Sequence, residues 1–326
     1  MYNIGIAGLG HVAVHQVAAL AKTGVFNLVA VCDPDPGRLA QLGEGRNAFT
    51  DIANMLSLPE LDVVVVATPN RMHVDHGVQV LESGKWLVME KPVAETREGF
   101  EKFEKARDRC RGHCTLALHA AFGQEVEWFC GQQLIDGLDV KDCESFVAHF
   151  YDPYFEDGHL QSRALSLGGS WMDSGINALS VIFRVINHDN LFMRDSRMTR
   201  VAGTECSEVQ GTVEFGFSRG TSFGSGVIDT NWTLGRDQKI TTLGFRGSDR
   251  KIVLDHSAQQ VVVTSAAVQQ VVFVCQNGLP RLTNHYIGVF LDLERQVAAG
   301  KDNFDHCRAL HVLLYEAEDR TGVTVR

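Results

Sequence analysis

The stretch Ile4-Gly5-Ile6-Ala7-Gly8-Leu9-Gly10-His11-Val12-Ala13, followed one apolar-periodic helix later by Leu28-Val29-Ala30-Val31-Cys32-Asp33, decides the fold of this 326-residue chain. It reads as strand, glycine turn, helix, strand, acid, the order that a dinucleotide-binding βαβ unit requires. Gly8 allows the tight turn, Gly10 lets backbone approach a pyrophosphate, and Ala13 lets the helix lie close to the sheet. The helix start, with His11 and Val12 in its first turn, offers unpaired N–H groups and a partial positive charge to phosphates. Asp33 stands where an acid accepts hydrogen bonds from ribose hydroxyls, which favours NAD and repels a 2′-phosphate. Arg38, early in the next helix, has two readings. It either pairs with that phosphate and admits NADP, or is a solvated helix arginine.

Outward from this unit the α/β rhythm continues. Residues 38–42 read as helical and 52–56 as a short amphipathic turn. The β-branched run Asp62-Val63-Val64-Val65-Val66-Ala67 reads as a parallel strand buried on both faces, stopping at Thr68-Pro69-Asn70. A helical stripe over 73–84, starting at His73, leads to the strand 86–89, which ends in Glu90-Lys91-Pro92. A charged helix over 98–109 and a strand over 115–118, ending at His119, complete a Rossmann dinucleotide-binding domain over 1–119.

Beyond residue 120 the pattern changes. A helix over 125–134, a strand over 143–151 and a helix over 172–186 precede strand-like runs at 199–201, 209–217, 221–227, 239–245, 251–254, 260–264 and 270–275. Helices over 285–299 and 304–319 close the chain. The fold class is therefore α/β followed by α+β, with residues 120–326 forming a substrate-binding domain around a large, mainly antiparallel, open-faced sheet. A single run of helices covers only one side of such a sheet. The other side predicts a homodimer, or a homotetramer built as a dimer of dimers.

Charged residues make up 21% and hydrophobic residues 44%, and the net charge of −10 comes without any lysine or arginine cluster. That balance argues against nucleic acid as a partner. No apolar run approaches membrane-spanning length and no leader precedes the first strand, so neither a membrane nor secretion is expected, and the expected location is cytoplasmic. Eight scattered cysteines are then expected as free thiols. Cys110, His113 and Cys114 lack a second ligand pair at zinc spacing, so no metal site is expected. Asn231-Trp232-Thr233 matches a glycosylation pattern that a chain without a secretory signal does not use.

The glycine fingerprint, Ala67-Thr68-Pro69-Asn70 with His73, Glu90-Lys91-Pro92 and the segment Gly168-Gly169-Ser170-Trp171-Met172-Asp173-Ser174-Gly175-Ile176-Asn177 occur here in one order. In this the chain resembles the Gfo/Idh/MocA oxidoreductases, which include glucose–fructose oxidoreductase, inositol dehydrogenase and several aldose 1-dehydrogenases. Lys91, at the carboxyl end of a parallel strand, projects into the crevice where such sheets bind ligands, and its amine can take the proton of a hydroxyl whose carbon loses hydride. The resemblance implies that Asp173 is its partner. It also implies that Thr68, Pro69, Asn70, His73, Glu90 and Lys91 line the cofactor, with Glu90 orienting the lysine or facing the nicotinamide. The bond before Pro92 is often cis in that family.

Asn177 is a departure. Inositol-type members carry a histidine one turn after the aspartate, whereas asparagine donates and accepts hydrogen bonds without shuttling a proton. The stretch Asp173 to Ser180 instead resembles bacterial L-arabinose and D-galactose 1-dehydrogenases, whose anomeric hydroxyl is more acidic and needs a weaker base. His119 is read either as a sugar contact or as a satisfied buried histidine. Trp232, with Asp229 nearby, is read as stacking on a pyranose or as core or interface, and Trp171 is equally open. The expected reaction is hydride transfer from C1 of a cyclic aldose to NAD(P), giving an aldonolactone, with catalysis by Lys91, Asp173 and Asn177. The alternatives are oxidation of a ring hydroxyl of an inositol or polyol, and a cofactor-binding sensor without turnover.

Overall fold

The computed structural model describes residues 1–157, 159–201, 208–320 and 324–325. The chain divides into two compact units, Met1–His119 with Leu282–Arg308, and Ala120–Arg281 with Ala309–Arg326.

In the first unit, β1 (Tyr2–Ala7), α1 (His11–Thr23), β2 (Phe26–Cys32), α2 (Pro36–Leu42), β3 (Asn47–Phe49), α3 (Ile52–Leu56), β4 (Val63–Val66), α4 (His73–Glu82), β5 (Trp86–Glu90), α5 (Arg97–Cys110) and β6 (Cys114–Ala117) follow in turn. The strands pair in parallel in the order β3-β2-β1-β4-β5-β6. The chain reverses its winding between β1 and β4, which opens a ligand crevice outside the carboxyl ends of these strands. Val63, Val64, Val65 and Val66 are wholly buried, as a strand covered on both faces requires.

In the second unit α6 (Gln124–Cys130) and the small hairpin β7 (Leu134–Ile135) with β8 (Leu138–Asp139) come first. The long β9 (Cys143–Tyr151) and a second hairpin, β10 (Phe155–Glu156) with β11 (His159–Leu160), lead to α7 (Ile176–Val185). Then come β12 (Asn190–Arg200), β13 (Gln210–Arg219), β14 (Ser222–Asn231), β15 (Gln238–Phe245), β16 (Lys251–Asp255), β17 (Gln260–Thr264) and β18 (Gln269–Val274). Two helices follow, α8 (Arg281–Ala299) and α9 (Phe304–Asp319), and β19 (Thr324–Val325) ends the chain. Nine strands form one sheet in the order β18-β17-β16-β15-β9-β14-β13-β12-β19, antiparallel except where β14 lies beside β9 and β19 beside β12. Along β9, Phe146, Ala148 and Phe150 are buried while Val147 between them is exposed, the alternation of a sheet covered on one face. α7 packs on β9, and α6 on β16 and β17.

Three expectations need correction. The helix placed over 125–134 stops at Cys130, because Gly131 ends it and Leu134–Ile135 turns into a hairpin. The strand placed at 199–201 begins at Asn190. Its charged residues Arg194, Asp195 and Arg197 hide the alternation of buried Leu191, Met193, Ser196 and Met198 around a bulge. And the domain boundary is not a single cut, because Leu282–Arg308 returns to the first unit. There α8 buries Tyr286, Val289, Phe290 and Leu293, and Phe290 meets Phe26 edge-on. Arg107 grips Asp302 with bonds of 3.1 and 2.9 Å, and Phe304 stacks on Phe100.

Candidate active site

The glycine turn is forced by strand proximity. Gly8 has φ +92°, and a Cβ there would stand 2.4 Å from the Ala67 carbonyl oxygen. Only glycine fits both the angle and the gap. Gly10 is the reverse case, since a Cβ there meets nothing within 4 Å. It starts α1 with no side chain capping the helix, so the space beside its Cα is open at the positive end of the helix dipole. His11 is exposed there, Val12 half-buried and Ala13 fully buried. This cradle fits a pyrophosphate.

Asp33 does more than wait for a ribose. Its buried carboxylate accepts the Leu9 N–H at 2.8 Å and the Asp35 N–H at 2.9 Å, bracing the glycine turn from the end of β2. Arg38, with half its side chain exposed, lies 3.5 Å from Asp33 and 3.6 Å from Asp35.

After β4, Thr68 and Asn70 are half-buried and Pro69 is exposed, with a single 3₁₀ turn over Asn70–Met72. His73 is almost wholly buried, and its ring lies between two carbonyls, Pro92 O at 2.6 Å from Nδ1 and Thr68 O at 2.8 Å from Nε2. The ring therefore stands between the Thr68 loop and the Lys91-Pro92 turn, with one nitrogen able to donate to a carbonyl in the neutral form. Burial lowers its pKa against the pull of both carbonyls. The Lys91-Pro92 bond is cis, and Lys91 is half-buried.

Glu90 points inward. Its Oε1 accepts Gln16 Nε2 at 2.8 Å and the Tyr286 hydroxyl at 2.6 Å, while burial raises its pKa despite these donors and nearby Lys91. His119 stacks on His285, with Nδ1 atoms 3.2 Å apart. Thr283 Oγ1 lies 3.0 Å from His15 Nδ1. The first two turns of α8 thus bring Thr283 to His15 in α1, Tyr286 to Glu90 at the end of β5 and His285 to His119 just beyond β6. The sequence reading missed these α8 residues and Gln16. The available signal was polar Thr283 and His285 beside Tyr286 at the start of an apolar stripe.

In the second unit, Gly168 (φ +86°) and Gly169 (φ +141°) enter a π-helical turn over Trp171–Gly175 that continues into α7. Such widened turns concentrate at functional sites. Trp171 is fully buried, its Nε1 donating to Leu314 O at 3.0 Å, and Gly175 lies so close that a Cβ would meet the indole at 2.4 Å. Trp171 is core. Asp173 and Asn177 are each 8% exposed and joined, Asn177 Nδ2 donating to Asp173 O at 3.2 Å. Among the described residues, Asn177 Oδ1 is buried and meets no hydrogen-bond donor. Beside them, Ser174 donates to Asp152 at 2.7 Å, and Lys239 pairs with the same carboxylate at 2.7 Å. Tyr154 has its pKa raised by burial, then by Asp173 and Asp152. None of Ser174, Asp152, Tyr154 and Lys239 was singled out from sequence.

Trp232 is not a sugar platform. It is fully buried, packs with Ala164 and Val209, meets Tyr154 edge-on and points Nε1 at Ser174 Oγ, 3.4 Å away. Each unit thus assembles its own half of the candidate set: the glycine turn with Asp33, Thr68, His73, Glu90 and Lys91 in the first, Asp173 with Asn177 in the second. His113 stacks on Trp86, and among the described residues no three His, Cys, Asp or Glu side chains group to hold a metal.

The chain is similar to the rhizopine catabolism protein MocA of Rhizobium meliloti, at 28% identity over 177 residues, 54% of each chain. It is 31% identical over 97 residues, 28% of each chain, to the inositol 2-dehydrogenase/D-chiro-inositol 3-dehydrogenase of Lactiplantibacillus plantarum. The matches thus span about half or less of these relatives' lengths. The D-galactose-1-dehydrogenase of Rhizobium etli shares the fold, with a TM-score of 0.75 at 18% identity over 99% of this chain and 96% of that one. The Gfo/Idh/MocA domain pattern, described as an oxidoreductase family with an NAD-binding Rossmann fold, matches residues 2–113 of this chain.

Proposed function

We propose that the chain is an NAD(P)-dependent oxidoreductase that oxidises the C1 hydroxyl of a cyclic aldose to a lactone. The observation that carries this reading is Asn177 Oδ1, a buried acceptor one turn beyond Asp173 that meets no donor among the described residues. Leaving such an oxygen unmet costs roughly 1–3 kcal/mol, so the position suits a bound hydroxyl that donates to it. Asparagine positions that hydroxyl and cannot carry its proton, which suits the more acidic anomeric position.

Lys91 takes the hydroxyl proton and Asp173 supports it. The α1 start at Gly10 holds the pyrophosphate, and Asp33 holds the adenosine ribose. The cofactor, when bound, supplies the hydride acceptor. Asp33 makes NAD the preferred form, and Arg38, exposed beside it, lets NADP be used less well. The second unit's open sheet face pairs copies into a homodimer or a dimer of dimers, which light scattering tests; a monomer at micromolar concentration refutes it.

The decisive assay follows reduced-nicotinamide absorbance with NAD and with NADP on D-galactose, L-arabinose, D-glucose and myo-inositol. Turnover on an aldose with lactone as product is expected. Turnover on myo-inositol alone replaces the C1 reading with ring-hydroxyl oxidation, and tight cofactor binding without turnover on any of them points to a sensor.

A further inference from the structure

The turn that carries Asp173 is held from outside its own helix. Its entry residues, Gly168 and Gly169, have no side chains to lock the backbone, and the turn is π-helical over Trp171–Gly175. Its start is fastened by Glu208, just before β13 and 2% exposed, while Ser174 further on is held by Asp152. Glu208 Oε1 accepts the Trp171 N–H at 2.7 Å and Oε2 accepts the Ser170 hydroxyl at 2.7 Å, while its backbone carbonyl accepts the Ser170 N–H at 3.3 Å. Ser170 Oγ also lies 2.9 Å from Thr230 Oγ1 on β14, so the clamp is anchored to the sheet. Three bonds reach two consecutive residues, and Asp173 follows two residues later with its N–H bonded to Gly169 O.

We propose that Glu208 is a positioning residue for Asp173, setting the direction of that carboxylate by fixing Ser170 and Trp171 at the start of the π-turn. The proposal rests on the reading of Asp173 as part of the reacting site. A polar arm of this length reaching both Ser170 and Trp171 is what the position demands. A glutamine can still serve, with its carbonyl oxygen accepting from Trp171 and its amide donating to the Ser170 hydroxyl, which then donates to Thr230. A methionine of similar length fills the space and supplies neither bond.

The test is a double-mutant cycle on the full chain, read on the best sugar of the aldose panel. Glu208→Met should lower kcat about tenfold, while the NAD dissociation constant measured by calorimetry stays within about twofold. Glu208→Gln should restore kcat to within about threefold of the parent. In an Asp173→Asn background Glu208→Met should change the residual kcat by less than about twofold, because the group it positions is gone. An equal loss in both backgrounds, or a fall in thermal midpoint with kcat unchanged, overturns the proposal. If Glu208→Met does not fold, Ser170→Ala is read in the same two backgrounds, with the same coupling expected and the same additivity overturning it. Full turnover in Asp173→Asn alone refutes the site reading instead, and is told apart by appearing with Glu208 intact.

Discussion

Tyr286→Phe removes one oxygen from the interior of the first unit and nothing else. The hydroxyl donates to Glu90 Oε1 at 2.6 Å, and both residues are buried, at 1% and 6% exposure. The ring keeps its neighbours Phe290 and His119. A buried hydrogen bond to a charged group is worth about 1.5–3 kcal/mol, and Gln16 remains as a second donor, so the loss should fall near the lower end. The effect should depend on pH, with a definite sign. Burial raises the Glu90 pKa above its ordinary 4.5, while Tyr286 and Gln16 pull it down. The folded chain therefore holds a proton that the unfolded chain has released, and the stability from this group is full below 4.5 and is lost as pH rises through the raised value. Removing Tyr286's hydroxyl raises the folded value further, so the variant loses most where Glu90 is ionised. Thermal unfolding of parent and variant at about pH 8 and about pH 5 measures this, with the larger midpoint drop expected at the alkaline pH. Because Glu90 precedes Lys91, kcat should also fall, by about tenfold. An equal midpoint drop at both pH values, or none, refutes the assignment of Tyr286 as a donor to the ionised carboxylate.

Three further outcomes follow from the geometry. Gly10→Ala should leave the thermal midpoint unchanged and weaken NAD binding about tenfold or more, since its Cβ points into open space, whereas Gly8→Ala should destabilise the fold, its Cβ meeting Ala67 O at 2.4 Å; calorimetry and thermal unfolding separate the two. Lys91→Met should cut kcat about a hundredfold or more with NAD still bound, and near-normal turnover would move the reading to a sensor. Burial, then Glu208 and Asp319, push the Glu318 carboxyl up to about 7, so its contribution to stability is lost as pH rises through that value. Glu318→Gln should therefore stabilise the chain at about pH 8 and give little gain near pH 4.5; a gain of equal size at both ends would exclude this cause.

Local chemistry was legible in the sequence. The glycine turn, Asp33 at the end of the second strand, the buried valine run and the Glu90-Lys91-Pro92 step each lie within a few residues, where φ, strand pattern and turn chemistry act directly. That is why five of the six parallel strands and the helices between them could be placed from the order of residues, while the three-residue edge strand Asn47–Phe49, too short to show a pattern, was not. The burial of Trp232 was not legible, since an aromatic in an alternating strand reads the same whichever face the fold covers. His73 read as a ligand-facing polar residue, and only the approach of two loops gives its ring two carbonyls.

The sequence by itself determined the Rossmann unit and its glycine turn, because those depend on backbone conformation and side-chain chemistry over short spans. Only the tertiary structure decided which distant polar groups meet. Tyr286 reaches Glu90 across 196 positions and Glu208 reaches Ser170 across 38, and a buried polar group finds its partner by proximity in the fold, which no local pattern encodes.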